Sequence, residues 1–213
     1  MAANGSHHPT RQALMDAARQ LLDSGRAFSS LSLREVTRVA GIVPTGFYRH
    51  FKDMDALGLA LVAEVGETFR ITLRQVRRNE FELGGIIDAS VQIFLSAVEQ
   101  NRGQFLFLAR EQFGGSLPVR LALATFREDI AADLASDLSL MPKLQHLDEP
   151  ARSMLADLVV KTVFATLPEL IDAQSSSLPL HKRPQTKMIE QLRFILIGAK
   201  RWRGLGLNDS AED

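Results

Sequence analysis

The sequence predicts an all-α protein of about nine helices, in which a small N-terminal group of short helices precedes a larger helical bundle. Along nearly every segment, apolar residues recur at intervals of three and four, which is the spacing of one face of a helix. No pair of segments shows the alternation that half-buried strands require. Hydrophobic residues make up 46% of the 213 positions and charged residues 23%, which is the composition of a globular protein with a core.

The first helices are marked by residues that cap helices or stop them. Thr10 is suited to cap a first helix, and Gly25 follows its last apolar position. Ser32 followed three residues later by Glu35 is the pattern of a capping box, and Gly41 is suited to end the helix that this box begins. These signals predict two short helices close together near the N-terminus.

Later segments carry signals of the same kind. Pro44 suits the first turn of a third helix, and Asp53 is predicted to cap a long fourth helix. Ser116 and Pro118 are typical of the start of a helix that runs beyond residue 130. Pro168 lies inside a later helical pattern, where it is expected to kink or break the helix.

Composition and charge exclude several classes of protein. The absence of cysteine excludes a disulfide framework, a thiol nucleophile and a cysteine-ligated metal site. No apolar run is long enough for a membrane span, and residues 1–12 lack the apolar stretch of a secretory signal, so we expect a cytoplasmic protein with no membrane partner. The net charge is zero, but residues 1–52 contain seven basic and three acidic side chains, which leaves +4 at this end. A basic end on a neutral chain points to a polyanionic partner for that end.

Residues 31–52 combine two short helices with a tight glycine-containing turn, which is the helix-turn-helix pattern of DNA-binding proteins. Phe47 and Phe51 are four residues apart and are predicted to face inward. Short side chains at the start of the second helix allow close approach to base edges, and polar side chains further along it can donate to phosphate oxygens. The predicted DNA-contacting residues are Arg11, Ser32, Arg34, Thr45, Gly46, Tyr48, Arg49, His50 and Lys52.

Residues 10–60 resemble the DNA-binding domain of the TetR family of transcriptional repressors. The resemblance is carried by "SLREVTRVAGIVPTGFYRHFKD" and by the long helix that follows it. The longer stretch "FSSLSLREVTRVAGIVPTGFYRHFKDMDALGLALVAEVG" is similar to the branch that controls unsaturated fatty acid synthesis and desaturation. This resemblance implies a repressor whose operator affinity is set by a bound saturated or unsaturated long-chain acyl-CoA. A TetR-type repressor released by an unrelated hydrophobic inducer is the alternative.

The TetR resemblance also implies a homodimer that binds a pseudo-palindromic, double-stranded DNA operator. The last two long helices would form the dimer interface, and the sequence carries apolar stripes there, although such stripes also suit the core of a monomer. The predicted interface residues are Met154, Leu158, Met188, Leu192, Ile195 and Leu196. The implied domains are a flexible tail over 1–9, a helix-turn-helix DNA-binding domain over 10–52, a ligand-sensing and dimerisation domain over 53–207 and a C-terminal tail over 208–213.

Large apolar side chains are concentrated between residues 83 and 171, where charged groups are scarce. A packed helical core explains them, and so does an apolar tunnel between helices, which is where bundles hold ligands. The tunnel favours an aliphatic ligand, with Arg110, Arg120 and the mobile turn expected at Gly114 and Gly115 near its mouth. The alternative is that the two arginines are solvated salt-bridge partners of Glu111. The predicted pocket residues are Phe94, Phe105, Leu108, Phe113, Phe126, Ile130, Leu158, Phe164 and Arg110.

Enzyme motifs are absent from the sequence. None of the five histidines belongs to an H-E-x-x-H arrangement, and no P-loop, G-x-S-x-G or G-x-G-x-x-G motif is present. We therefore predict a protein that is not an enzyme and binds no cofactor and no metal, with His7 and His8 typical of a disordered tail. A helical interaction or lipid-carrier module without DNA binding would explain the apolar bundle, but it would not explain the cationic residues beside Tyr48.

Overall fold

A computed structural model of the chain describes residues 9–78, 86–173 and 183–204. All regular structure in these ranges is helical, which confirms the predicted all-α class. The described ranges contain nine α-helices: α1 Pro9–Asp23, α2 Leu33–Val39, α3 Pro44–Phe47, α4 Met54–Arg78, α5 Ile86–Gln100, α6 Arg102–Glu111, α7 Leu117–Ser139, α8 Glu149–Ala173 and α9 Pro184–Arg201. Short 3-10 turns lie at Phe28–Ser30 and Pro142–Leu144. The predicted tails, with His7 and His8, lie outside the described residues, except for Pro9.

Helix ends in the N-terminal part follow the predicted capping residues. The Ser32 hydroxyl accepts the backbone N–H of Glu35 at 3.3 Å, and the Glu35 carboxylate accepts the Ser32 N–H at 3.0 Å, which completes the capping box. Asp53 Oδ1 accepts a backbone N–H from the first turn of α4 at 2.8 Å. Gly25 and Gly41 follow α1 and α2 with φ values of 93° and 68°, a region that favours glycine.

The predicted cap at Thr10 is wrong, and of the kink or break predicted at Pro168 the break is wrong. Helix α1 already includes Thr10, because Pro9 occupies its first position, where proline is well tolerated. Helix α8 continues through Pro168 to Ala173 and is not broken there. Proline removes one backbone hydrogen bond from a helix, but the buried side chains on both sides of it keep α8 packed: Leu167, Leu170 and Ile171.

One compact unit contains α1 to α4, α5 from Gln92 onward, α6, and α7 as far as Thr125. Within it, α6 packs against α1 and α4, and α1, α2 and α3 pack against one another. Its core is formed by fully buried side chains from these helices, among them Leu14, Val36, Phe47, Leu57, Phe105 and Leu123. Helix α6 therefore belongs to the same packed unit as the helix-turn-helix.

The second compact unit contains α5 up to Val91, α7 from Phe126, α8 and α9. Helices α8 and α9 pack against each other along their length. A buried cluster at one end of this unit consists of Leu138, Leu144, Leu147, Ala151, Leu155 and Ala156. Among the described residues, we find no helix with the length and apolar content that crossing a membrane requires.

Candidate nucleic-acid interface and effector region

Helices α2 and α3 and the turn between them form the candidate DNA-reading surface. Gly41 turns the chain, and the Ile42 N–H donates to the Thr37 carbonyl at 2.9 Å. Phe47 and Phe51 are both buried, and their ring centroids are 5.6 Å apart. Their predicted inward orientation is confirmed, and it fixes which side of α3 faces away from the core.

The predicted DNA-contacting residues differ in how far they reach solvent. His50, Gly46 and Arg11 are half-buried. The hydroxyl of Ser32 is held by the capping box, so this residue sets the start of α2. The exposed members of the set are Ser32, Arg34, Thr45, Tyr48, Arg49 and Lys52.

Arg11 and Gly46 each have a packing role that sequence reasoning did not identify. The guanidinium carbon of Arg11 lies 5.2 Å from the centroid of the Phe51 ring, and its Nη1 donates to the sulfur of Met15 at 3.3 Å. A Cβ on Gly46 would lie 2.8 Å from Cγ2 of Ile42, closer than carbon atoms can approach. A larger residue at this position would force the Ile42 side chain to shift.

An ion pair holds the N-terminus of α2 in place. Arg26 Nη1 donates to Glu35 Oε1 at 2.5 Å, and its Nη2 donates to the carbonyl of Ser30 at 2.8 Å. The other carboxylate oxygen of Glu35 accepts from the hydroxyl and N–H of Ser32. The hydrogen bond from Arg26, followed by those from Ser32, lowers the pKa of Glu35 from 4.5 to about 2.

We expect the order of the α2 N-terminus to depend on pH through Glu35. Because its folded-state pKa is lowered, its stabilising contribution is complete above pH 4.5 and is lost as the pH falls through about 2. An NMR titration of the Glu35 carboxyl carbon measures this pKa directly. Arg26→Ala should raise the pKa toward 4.5, because the largest cause of the shift is lost while the hydrogen bonds from Ser32 remain, and an unchanged pKa in that variant would contradict the role given to Arg26.

The end of α6 is hydrogen-bonded to the turn that precedes α2. Glu111 is 1% exposed, and its Oε1 accepts the backbone N–H of Phe28 at 2.7 Å. The Phe28 ring meets the ring of Phe107, one helical turn earlier in α6, edge to face at 5.7 Å. The same ring closes the space over Gly58 of α4, where a Cβ would lie 2.8 Å from it. Phe28 is thus fixed from α6 and α4 together.

The second oxygen of the Glu111 carboxylate, Oε2, is buried without a hydrogen-bond partner. A Cβ on Gly114 would lie 2.0 Å from this oxygen, and a Cβ on Gly115 would lie 3.0 Å from Cβ of Ser29. An added Cβ would therefore displace the Glu111 carboxylate at position 114 and press on Ser29 at position 115, and the mobile turn stays a prediction. Sequence reasoning considered Glu111 only as a solvated salt-bridge partner and missed its burial and its hydrogen bond with Phe28, although it is the one acid in the segment "QFLFLARE".

The first turn of α7 also contacts α4. The Ser116 hydroxyl caps α7 by accepting the Val119 N–H at 3.3 Å, as predicted, and it donates to Asp55 Oδ1 at 2.7 Å. Val119 is fully buried and, like Phe28, fills the space over Gly58. The segment from Glu111 to Val119 therefore contacts the turn before α2 at Phe28 and contacts α4 at Asp55 and Gly58.

Three phenylalanine rings meet inside the same unit. The ring centroids of Phe69 on α4, Phe94 on α5 and Phe105 on α6 are 5.6 to 5.9 Å apart, and all three rings are buried. Beside them, the Thr68 hydroxyl donates to Gln104 Oε1 at 2.6 Å. We call Phe69, Phe94 and Phe105 the aromatic cluster. Phe94 and Phe105 were predicted to line a pocket, whereas Phe69 was not identified from the sequence.

Comparison with known proteins shows what this architecture belongs to. Residues 14–61 match the family described as bacterial regulatory proteins, tetR family. Residues 83–198, more than half of the chain, match the family described as tetracyclin repressor-like, C-terminal domain. The chain belongs to the TetR family. It is therefore a ligand-responsive transcriptional regulator, and proteins of this family bind DNA operators and are typically dimers.

Solved structures of TetR-family proteins share the fold. A protein from Syntrophomonas wolfei assigned to the family superposes with a TM-score of 0.69 at 15% identity, covering 90% of this chain and 95% of the other. A TetR-like regulator from Rhodococcus sp. RHA1 gives 0.65 at 18% identity, with 89% and 96% covered. NemR from E. coli in its reduced form gives 0.62 at 18% identity, with 88% and 96% covered. These structures, at 15% to 18% identity, show a shared fold, and membership of a family of regulators fits the prediction that this chain is not an enzyme.

The other residues predicted for the effector pocket of this TetR protein differ in burial and are divided between the two compact units. Leu108 is buried in the first unit, whereas Arg110 is exposed. In the second unit, Phe126 and Phe164 are buried with ring centroids 6.4 Å apart, and Ile130 is buried as well. Phe113 is 83% exposed, so its ring does not line an apolar pocket in this form of the protein, and we remove it from the proposed pocket.

Helices α8 and α9 of the TetR chain present an exposed apolar face. Phe194 is 81% exposed, and Met154, Leu158 and Ile197 are exposed as well. Beside Phe194, a hollow of about 420 Å³ is lined by Thr162, Glu190, Gln191, Phe194 and Ile195. The exposure of Leu158 places it on this face, which removes it from the predicted pocket.

Two residues predicted for the dimer interface do not reach this face. Met188 and Leu192 are buried in the chain's own core, so a second chain cannot contact them without unfolding α9, and we remove them from the interface. Ile195 and Leu196 are half-buried against the cluster around Leu144. Phe194 and Ile197 were missed, because "MIEQLRFILIG" is apolar on several sides and its sequence does not show which side faces inward.

Proposed function

We propose that this TetR-family protein is a repressor of unsaturated fatty acid synthesis and desaturation genes, and that a bound long-chain acyl-CoA sets its operator affinity. The observation that carries the proposal is the buried aromatic cluster, which joins α4, α5 and α6 beside a single hydrogen-bonded pair of neutral side chains. A site lined by rings, a hydroxyl and a neutral amide suits an uncharged aliphatic chain. The similarity of the segment around "GFYRHFKDMDALGLA" to that branch of the family supports the same choice.

The shape of the acyl chain is what such a site would sense. A saturated chain and a cis-unsaturated chain differ in shape and hardly in polarity, so packing against the rings must distinguish them. Misfit in a packed core costs on the order of 1–3 kcal/mol, which shifts a two-state equilibrium by roughly tenfold to a hundredfold. A shift of that size is sufficient for a transcriptional switch.

Two helices connect the proposed ligand site with the DNA-reading surface inside one compact unit. Helix α4 carries Phe69 and begins at the cap Asp53, directly after α3. Helix α6 carries Phe105 and ends at Glu111, which holds Phe28 ahead of α2. A ligand that separates the rings would therefore displace both helices that support α2 and α3.

The DNA contacts proposed for the operator come from the exposed face of α2 and α3. Arg34 and Arg49 flank the turn, Tyr48 and Lys52 can donate to phosphates, and Thr45 lies at the start of α3. Half-buried His50, Gly46 and Arg11 would act mainly by supporting these side chains. A homodimer formed through the exposed α8–α9 face would present two such surfaces to a pseudo-palindromic operator.

A TetR-type repressor released by an unrelated hydrophobic compound is the second candidate function. Its support is the aromatic character of the cluster, because tilted and edge-on rings also suit an aromatic ligand. In this case acyl chains would leave operator affinity unchanged, while a different compound would lower it.

Operator binding with and without acyl-CoA tests the proposal. We expect the dissociation constant for the promoter fragment beside the gene to differ several-fold between palmitoyl-CoA and oleoyl-CoA, because only one chain shape fits the competent packing. Fluorescence anisotropy at fixed salt measures both, with free CoA as the blank. Equal constants with the two thioesters would refute acyl-chain sensing and leave the second candidate.

Two matched substitutions test whether the acyl chain binds at the aromatic cluster. Phe69→Leu loosens the aromatic cluster and should reduce the difference between the two thioesters, because one ring contact is lost on each side. Phe113→Leu makes the same change at an 83% exposed ring and should leave the difference intact. If both variants behaved alike, the ligand site would lie elsewhere.

A further inference from the structure

An exposed valine lies at the start of α3, the second helix of the helix-turn-helix. Val43 is the N-cap residue of α3, is 68% exposed, and makes no side-chain hydrogen bond to the helix. Valine is among the poorest residues at this position, because it cannot accept the free backbone N–H groups of the first turn. An apolar side chain here therefore forgoes a cap and also leaves hydrocarbon in water.

The turn does not need the Val43 side chain for its own structure. Pro44 occupies the first helical position and restricts the residue before it to extended conformations, and Val43 has φ −68° and ψ 147°. The apolar packing inside the turn is supplied by Ile42, whose Cγ2 fills the space beside Gly46. Pro44 therefore fixes the conformation at the start of α3, and Ile42 fills the space inside the turn. The Val43 side chain remains available for a contact outside the chain.

The surroundings of Val43 indicate what that contact is. It lies next to the exposed Pro44 that begins α3, and the residues around it in the sequence that are exposed include Arg38, Thr45 and Arg49. The N-terminal residues of the second helix in this motif contact base edges in the major groove. In that groove thymine alone carries a methyl group, which is read by apolar contact.

We propose that Val43 is a specificity-determining residue that selects thymine at one position in each operator half-site, by packing its isopropyl group against the thymine methyl group. The inference rests on the proposed use of the α2–α3 face for DNA reading. It adds one apolar, base-specific contact to a surface on which, apart from Val39 and Pro44, the other exposed side chains of the predicted DNA-contacting set are polar or cationic.

Replacing thymine by deoxyuridine tests the contact, because this change removes the methyl group and nothing else. An operator is first selected from a random DNA pool with the full-length wild-type protein, and each thymine is then replaced in turn. At one symmetry-related pair of positions we expect wild-type affinity to fall about fourfold per half-site, which corresponds to the burial of about one methylene-sized group.

The variant Val43→Ser should be insensitive to deoxyuridine at that pair of positions and should accept other bases there in selection. Serine is a better N-cap than valine, so a melting temperature at or above the wild-type value will show that the change is not caused by unfolding. Val39→Ser is the matched control, because Val39 is 37% exposed at the end of α2 and is not at the start of the reading helix. It should keep the wild-type sensitivity.

Three results would overturn the inference. One is a wild-type response to deoxyuridine that is flat at every thymine, and another is a response that Val43→Ser retains. The third is failure of the wild-type protein to select any operator, which would refute the proposed reading surface and this contact with it. A selected operator combined with a flat deoxyuridine response would refute the contact alone.

Discussion

Phe194→Asp should convert the protein to a monomer and weaken operator binding by roughly 100-fold or more, because two linked half-site contacts become single ones. Phe194 is 81% exposed beside the hollow of about 420 Å³ on the α8–α9 face. In a two-fold symmetric pair each ring would enter the hollow of the other chain, so every contact occurs twice. Burying a phenylalanine stabilises by about 1.5–3 kcal/mol, and a buried carboxylate reverses that gain.

Sedimentation equilibrium measures the association, and anisotropy on the same samples measures operator affinity. Leu140→Asp is the matched control, because Leu140 is 77% exposed and follows α7, outside α8 and α9 and outside the lining of the hollow. That variant should remain dimeric and bind DNA as the wild type does. A Phe194→Asp protein that still sediments as a dimer would show that the chains associate through another surface.

Glu111→Ala should lower the free energy of unfolding by about 1–3 kcal/mol, because the buried N–H of Phe28 loses its acceptor. Glu111→Gln keeps an acceptor oxygen for this N–H and should cost less. Urea unfolding measures the stability, and hydrogen exchange at the Phe28 amide shows whether the loss is local to the turn before α2. Operator affinity should fall with the alanine variant more than with the glutamine variant.

Gly114→Ala should disturb the same hydrogen bond between Glu111 and the Phe28 N–H. Its Cβ would lie 2.0 Å from Glu111 Oε2, so the carboxylate must move away and release the Phe28 N–H. We expect a loss of stability similar to that of Glu111→Ala, and almost no further loss when both changes are combined. Strictly additive losses would show that Gly114 acts through something other than the carboxylate.

The parts of the fold that sequence reasoning predicted are governed by local chemistry. The capping box of Ser32 and Glu35, the cap at Asp53 and the inward pair Phe47 and Phe51 each depend on residues three or four positions apart. Such signals are complete within one turn of helix and can be recognised without knowledge of the tertiary structure.

The parts that sequence reasoning missed depend on distant residues. Glu111 and Phe28 are 83 positions apart, and nothing near either residue indicates the other. Helix α9 is apolar on several sides, so only its packing on α8 decides that Met188 is buried and Phe194 is exposed. The exposure of Phe113 likewise follows from the end of α6 at Glu111. The sequence does not show this end, because Phe105 and Phe107 are buried in the same apolar segment.

The membership of α6 in the DNA-reading unit sets a limit on modular engineering of such regulators. A chimera joined directly after α4 would take the reading helices without Phe107, Glu111 and Val119. A foreign sensor domain would then have to provide a ring that packs against Phe28, an acceptor for the Phe28 N–H and a side chain that packs over Gly58. Transplantable boundaries in this chain therefore lie within α5 and α7, at the limits of the packed unit, and a graft has to carry both segments together.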